Sequence, residues 1–129
     1  AIQYPVGNLT HTAHGDGVAT LLPFVMQYNQ PYCTPAFAEL ARTIGLPDAP
    51  PEQMSQGFID AVADLLGRVN IPRTLAALGL QAEQQDFVAE NALNAARLVK
   101  NNPRPLDLVA MQHITRAAFS GERAALRTA

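Results

Sequence analysis

The chain of 129 residues is 48% hydrophobic and only 16% charged, with a formal net charge of −2. That length fits one domain, and the apolar, near-neutral balance excludes intrinsic disorder and any electrostatic footprint for nucleic acid or anionic membrane. A single cysteine, Cys33, excludes an internal disulfide and fits a reducing cytoplasm, the expected location, while no apolar run reaches the ~18–20 residues of a membrane span.

Apolar residues recur at helical spacing almost throughout. Residues 1–14, with Pro5, Gly7 and Asn8, predict a short helical end plus a loop. Asp16 is placed to cap the next helix, in which Val18, Leu21, Leu22, Val25 and Met26 share a face and Pro23 introduces a kink. Asn29, Pro31 and Cys33 predict a turn. Thr34-Pro35 then predicts a new helix, a hydroxyl N-cap followed by proline at the first position, with Phe37, Leu40, Ala41 and Ile44 inward and Gly45 as its stop. Pro47, Pro50 and Pro51 make a stiff connection to a helix over 52–69, with Phe58, Ile59, Val62, Leu65 and Leu66 facing inward. After a break at 70–72, residues 74–78 predict a helical turn ended by Gly79. Residues 81–99 read as the longest uninterrupted helix, burying Phe87, Val88, Leu93, Ala96 and Leu98. Asn101, Asn102, Pro103 and Pro105 end it, a last helix follows over about 106–119, and 121–129 reads as a frayed tail. No segment alternates with period two. The expected fold is all-α, a helical bundle with proline-marked loops forming one domain over 1–129.

Among residues 1–38 only Asp16 is charged. This neutral front either is buried in the chain's own core or lies against something outside the chain, such as a cofactor, a metal site or another domain.

Few residues offer chemistry. His113 lies mid-helix beside Ile114 and reads as structural. Cys33 has no activating neighbour and reads as buried and inert. Gly15-Asp16-Gly17 follows no strand, and its carboxylate would stand where a phosphate would sit, so capping accounts for it better than phosphate binding. His11 and His14, three apart before a helix, could share a divalent metal if the loop were helical, or be ordinary loop histidines.

The run from Tyr4-Pro5-Val6-Gly7 through His11-Thr12-Ala13-His14-Gly15 to Leu21-Leu22-Pro23-Phe24-Val25-Met26-Gln27-Tyr28-Asn29 resembles the second signature of the iron-containing (group III) alcohol dehydrogenases. Ile71-Pro72-Arg73-Thr74-Leu75 through Leu78-Gly79 is similar to a later connection of that family, and Asn102-Pro103-Arg104-Pro105-Leu106 to the segment before its last helix. The likeness runs in order along essentially the whole chain.

The resemblance implies a dehydroquinate synthase-like C-terminal helical domain, normally preceded by an α/β domain that binds NAD or NADP. It implies a catalytic Fe(II) or Zn(II) held by one Asp and three His, the last of them corresponding to His14. The other ligands would precede Ala1, so the chain is expected to be a fragment whose main partner is the missing nucleotide-binding domain. Tyr4 stands where many members carry a histidine near the substrate, and Tyr4 and His11 are the expected substrate-binding residues. Asn8 replaces a residue that is usually small. The implied reaction is hydride transfer between a small alcohol or hydroxy acid and a nicotinamide, with the isolated chain inactive and holding metal weakly; homo-oligomers are possible. The competing expectation is a non-enzymatic helical interaction module derived from the same domain.

Overall fold

The computed structural model describes residues 1–128. Among them it places α1 at Gln3–Thr10, α2 at His14–Thr43, α3 at Pro51–Arg68, α4 at Gln85–Ala92, α5 at Ala96–Asn101 and α6 at Leu108–Ser120. Short 3-10 turns occupy Ala82–Gln84 and Arg123–Thr128, and no described residue is in a strand.

The 30-residue α2 is the spine. Its first half packs with α1, α4, α6 and the 75–80 connection around Val6, Leu21, Phe24, Leu75, Val88, Met111 and Ile114. Its second half forms a smaller core with α3 through Ala38, Ala41 and Met54. The loop at 44–50 reverses the chain, so α3 runs back along α2 and Gln30 meets Ser55 while Thr20 meets Pro72.

The predicted turn at Asn29–Cys33 and the new helix start at Thr34 do not occur, because α2 continues through Pro23, Pro31 and Pro35. Each of these prolines removes one ladder donor, a cost normally sufficient to end a helix. Side-chain hydrogen bonds to neighbouring elements hold the segment helical instead. Gln27 and Gln56 form a reciprocal amide pair at 2.8 Å, Gln30 Nε2 donates to Ser55 Oγ at 2.9 Å, and Asn29 and Asn102 pair reciprocally at 2.8 Å. Thr34 does not cap; its hydroxyl donates back to the Gln30 carbonyl at 2.8 Å.

Three further expectations are corrected. In α3 Leu65 is exposed, as the helix turns Met54, Ser55 and Ile59 toward α2. The predicted helix over 81–99 is divided: a capping box joins Gln81 and Gln84, α4 ends after Ala92, and α5 begins at Ala96. Asn91 donates its amide to the Phe87 carbonyl at 2.8 Å, a local bond that competes with the helical ladder, and Ala95 leaves helical geometry at ψ 61°. Because α4 buries the small face Val88, Ala89 and Ala92, Phe87 points outward; Ala96 is exposed as well. The tail is not frayed over the described residues. Gly121 ends α6 at φ 85°, and the following turn buries Leu126 in the main core; Ala129 lies outside the described residues.

Arg123 also anchors this tail, donating to Asp60 Oδ1 at 2.8 Å and to Gln27 Oε1 at 3.2 Å. Burial opposes ionisation of Asp60. Hydrogen bonds from Arg123 and Gln56 and the charges of Arg123 and Arg127 outweigh it, holding the carboxyl below its usual range. A folded-state value below the unfolded one adds stability at neutral pH, and that contribution is lost as pH falls through the acid range. Asp60→Asn should therefore lower the melting temperature at pH 7 and flatten its decline below pH ~4, which calorimetry across pH would read.

Candidate functional site

The candidate site is assembled where α1 meets α2. His11 ends α1 in a left-handed conformation (φ 56°), its backbone N–H donating to the Gly7 carbonyl. Thr12 and Ala13 then turn the chain, and His14 is the first residue of α2. Asp16 consequently lies within the first turn rather than at the cap, where its carboxylate suits the positive end of the helix dipole. Helix formation starts earlier than expected because Ala13, with extended ψ, serves as the boundary residue.

Tyr4 and His14 come together, their ring centroids 5.9 Å apart and tilted by 35°. Both are exposed, Tyr4 to 54%, so the two rings form one accessible surface. His11 is exposed too, but no hydrogen bond or ring contact among the described residues joins it to this pair. His113 is on the exposed face of α6, and Cys33 is half-buried on α2, where burial pushes its thiol up.

Gln3, absent from the expected site residues, sets the contact between the two helices. It is buried between Gly7 and Gly17, with its Nε2 3.0 Å from where a Gly7 Cβ would lie and its Oε1 filling the space of a Gly17 Cβ. The signal in the sequence was an uncharged amide among apolar residues near the chain start, with small residues in the facing helix. Gly17→Ala should force the two helices apart, costing about 1–3 kcal/mol of stability. Gln3→Ala in the same chain should recover most of that loss in thermal unfolding, and a double variant no better than Gly17→Ala would contradict this packing.

The two later motifs serve as struts. Thr20 Oγ1 lies 2.9 Å from the Asp16 carbonyl and 2.8 Å from the Pro72 carbonyl, tying the start of α2 to the Ile71-Pro72 connection. The Arg104 guanidinium lies 4.1 Å from the Tyr28 ring centroid and donates to the Tyr28 carbonyl at 2.7 Å. Tyr28 in turn donates its hydroxyl to the Pro105 carbonyl at 2.7 Å; burial pushes that hydroxyl up despite Arg104, which keeps it a donor.

His14, Val18, Leu21 and Val25 share one face of α2 at helical spacing. Below His14 this face borders an apolar groove of about 240 Å³, floored by Leu98, Leu106, Met111 and Ile114. Val18 and Leu22 remain 44% and 42% exposed on its flank. The neutral front is therefore divided, with Ile2, Val6, Phe24 and Gln27 in the interior and Tyr4, Val18 and Leu22 turned outward. No helix is long and apolar enough to cross a membrane among the described residues.

Among the described residues, no three His, Cys, Asp or Glu side chains converge as a metal site. His14 presents an exposed imidazole at the first residue of α2, where it is free to supply one ligand to a cation whose other ligands come from elsewhere.

The profile of a family described as "Fe-containing alcohol dehydrogenase family, C-terminal" matches residues 1–119. The chain is 29% identical over 123 residues to long-chain-alcohol dehydrogenase 1 of Geobacillus thermodenitrificans, covering 94% of this chain and 31% of that protein. It is 31% identical over 120 residues to maleylacetate reductase 1 of Cupriavidus pinatubonensis, covering 93% of this chain and 30% of that one. A crystal structure of 1,3-propanediol oxidoreductase superposes with a TM-score of 0.84 at 28% identity, over 92% of this chain and 31% of that one. An alcohol dehydrogenase from Oenococcus oeni gives a TM-score of 0.83 at 29% identity, with the same coverage, 92% and 31%. The chain thus spans about a third of the length of these relatives.

Proposed function

The chain belongs to the Fe-containing alcohol dehydrogenase family, matching its C-terminal part, and on that premise we propose that it is the helical, metal-contributing domain of an NAD(P)-dependent alcohol dehydrogenase. In this reading a larger polypeptide supplies the nucleotide-binding domain and the remaining metal ligands. The reaction moves a hydride between a small alcohol or hydroxy acid and the nicotinamide. The observation that carries the reading is the placement of His14: an exposed imidazole at the first residue of the longest helix, against the Tyr4 ring and one turn before Val18, which lines an apolar groove.

Fe(II) or Zn(II) at this position would act as a Lewis acid on an alcohol or carbonyl oxygen. The chain's own residues hold and shape the site. His14 supplies one imidazole, aimed by α2 rather than by a mobile loop. Tyr4 flanks that ring and offers a hydroxyl to substrate, while His11 stands at the rim. Gln3 wedges α1 against α2 and so maintains the distance between the two rings. Val18 and Leu22 form the apolar flank that the nucleotide-binding domain covers, excluding water beside the reacting carbon.

The purified 129-residue chain should produce no NADH or NADPH from 1-propanol, even with Fe(II) or Zn(II) added, and equilibrium dialysis should find weak metal binding. The longer polypeptide should do both. Turnover by the short chain, with its mass confirmed, would overturn the assignment. Its apolar flank also bears on assembly: light scattering should show the short chain self-associating as concentration rises, and Leu22→Lys should abolish that association, because Leu22 is exposed on the flank.

A further inference from the structure

A separate cavity of about 840 Å³ opens on the side of α2 turned away from His14. Its α2 wall is formed by Ala19, Thr20, Pro23 and Phe24, about 80–180° around the helix from His14 at ~100° per residue. Phe24, Ala63, Leu66 and Ile71 make the lining largely apolar, whereas three guanidinium side chains, Arg73, Arg123 and Arg127, stand around it. This pairing of an apolar wall with a few convergent charges is the usual construction of a small-molecule site.

The three cations are not equivalent. Arg123 is held by Asp60 at 2.8 Å, and Arg127 also acts on Asp60 electrostatically. Glu122 is the acid in the lining. Arg73 is exposed and forms no ion pair among the described residues. Its guanidinium lies against Gly67 near the C-terminal end of α3, in space that any Cβ at position 67 would occupy. The glycine therefore lets the cation approach the α3 backbone closely, and the negative end of the α3 dipole favours it there. A guanidinium held in this way presents a planar fork that matches a carboxylate.

We propose that this cavity binds a hydrocarbon carboxylate, with its chain against the Phe24–Leu66 wall and its anionic end on Arg73. The proposal needs neither a metal nor a nicotinamide and lies across α2 from His14, so its failure and that of the dehydrogenase reading are separable.

The test titrates the metal-free 129-residue chain with octanoate, with 1-octanol as the neutral probe of equal chain length and acetate as the anion without a chain, read by backbone amide shifts. Octanoate should shift the Gly67 and Gly121 amides saturably and bind at least about tenfold more tightly than either control. Arg73→Gln should weaken octanoate at least about tenfold, with Arg73→Lys recovering part of the loss. Gly67→Ala, which keeps every charge but crowds the guanidinium, should weaken binding as well. Equal affinity for octanoate and 1-octanol, shifts confined to the groove beside Val18 and Leu106, or unchanged binding in Arg73→Gln would each overturn the proposal. Because Arg73 is exposed, its substitution leaves the core intact, and the result stands even if Gly67→Ala fails to fold.

Discussion

Replacing His14 with alanine should strip the divalent metal from the enzyme that carries this chain and lower its turnover at least ~100-fold. Losing a group that only orients a metal ligand through a hydrogen bond costs about 10–100-fold, and His14 is proposed as a direct ligand. The same substitution should leave the fold unharmed. His14 is exposed, and its ring lies beside the Tyr4 ring rather than in a core cluster. Metal content by plasma emission, turnover and thermal unfolding together give a distinctive pattern: metal and activity lost, melting temperature nearly unchanged. Tyr4→Phe keeps the ring and removes the hydroxyl, so it should retain metal while weakening substrate binding. Full metal occupancy in His14→Ala would remove the basis of the proposed function.

The second large effect is on stability. Leu126→Ala should cost about 2–5 kcal/mol, the range for deleting a buried leucine side chain. Leu126 is only 2% exposed and belongs to the same apolar cluster as Leu75, Met111 and Ile114. Ending the chain after Ser120 should cost at least as much. It removes Leu126 and also withdraws Arg123, leaving Asp60 without its 2.8 Å partner. Denaturant unfolding would measure both. A frayed tail would leave stability unchanged by either alteration, so a null result would restore the expectation drawn from composition.

Much of the architecture was legible because helix periodicity is a local property. Apolar residues three and four apart produced α3 and α6 nearly in place, and Asp107 and Gly121 bound α6 as ordinary capping chemistry predicts. The Tyr4–His14 surface was found through its motif, and the structure brings those two rings together. His11 had equal claim by spacing alone, yet its left-handed cap conformation places it at the end of α1, outside the paired rings.

The failures share a cause. Pro31 and Thr34-Pro35 carry every local mark of a turn and a restart, yet α2 passes through them. Amide pairs with residues more than twenty positions away in the chain hold it helical, and a window of neighbouring residues contains no trace of Gln56 or Asn102. Leu65 and Phe87 likewise read as buried because they are large and apolar, but burial depends on which helix face finds a partner.

By itself the sequence determined the all-helical class and the ends of α3 and α6, since each rests on spacing and side-chain chemistry within a few residues, while His14 was singled out by its resemblance to the family signature. Only the tertiary structure decided that α2 is one helix, that Gln3 is the wedge beneath the candidate site, and that the C-terminal turn is anchored. Those outcomes depend on long-range contacts, whose free energies outweigh local propensities and which become visible only when distant segments share the same space.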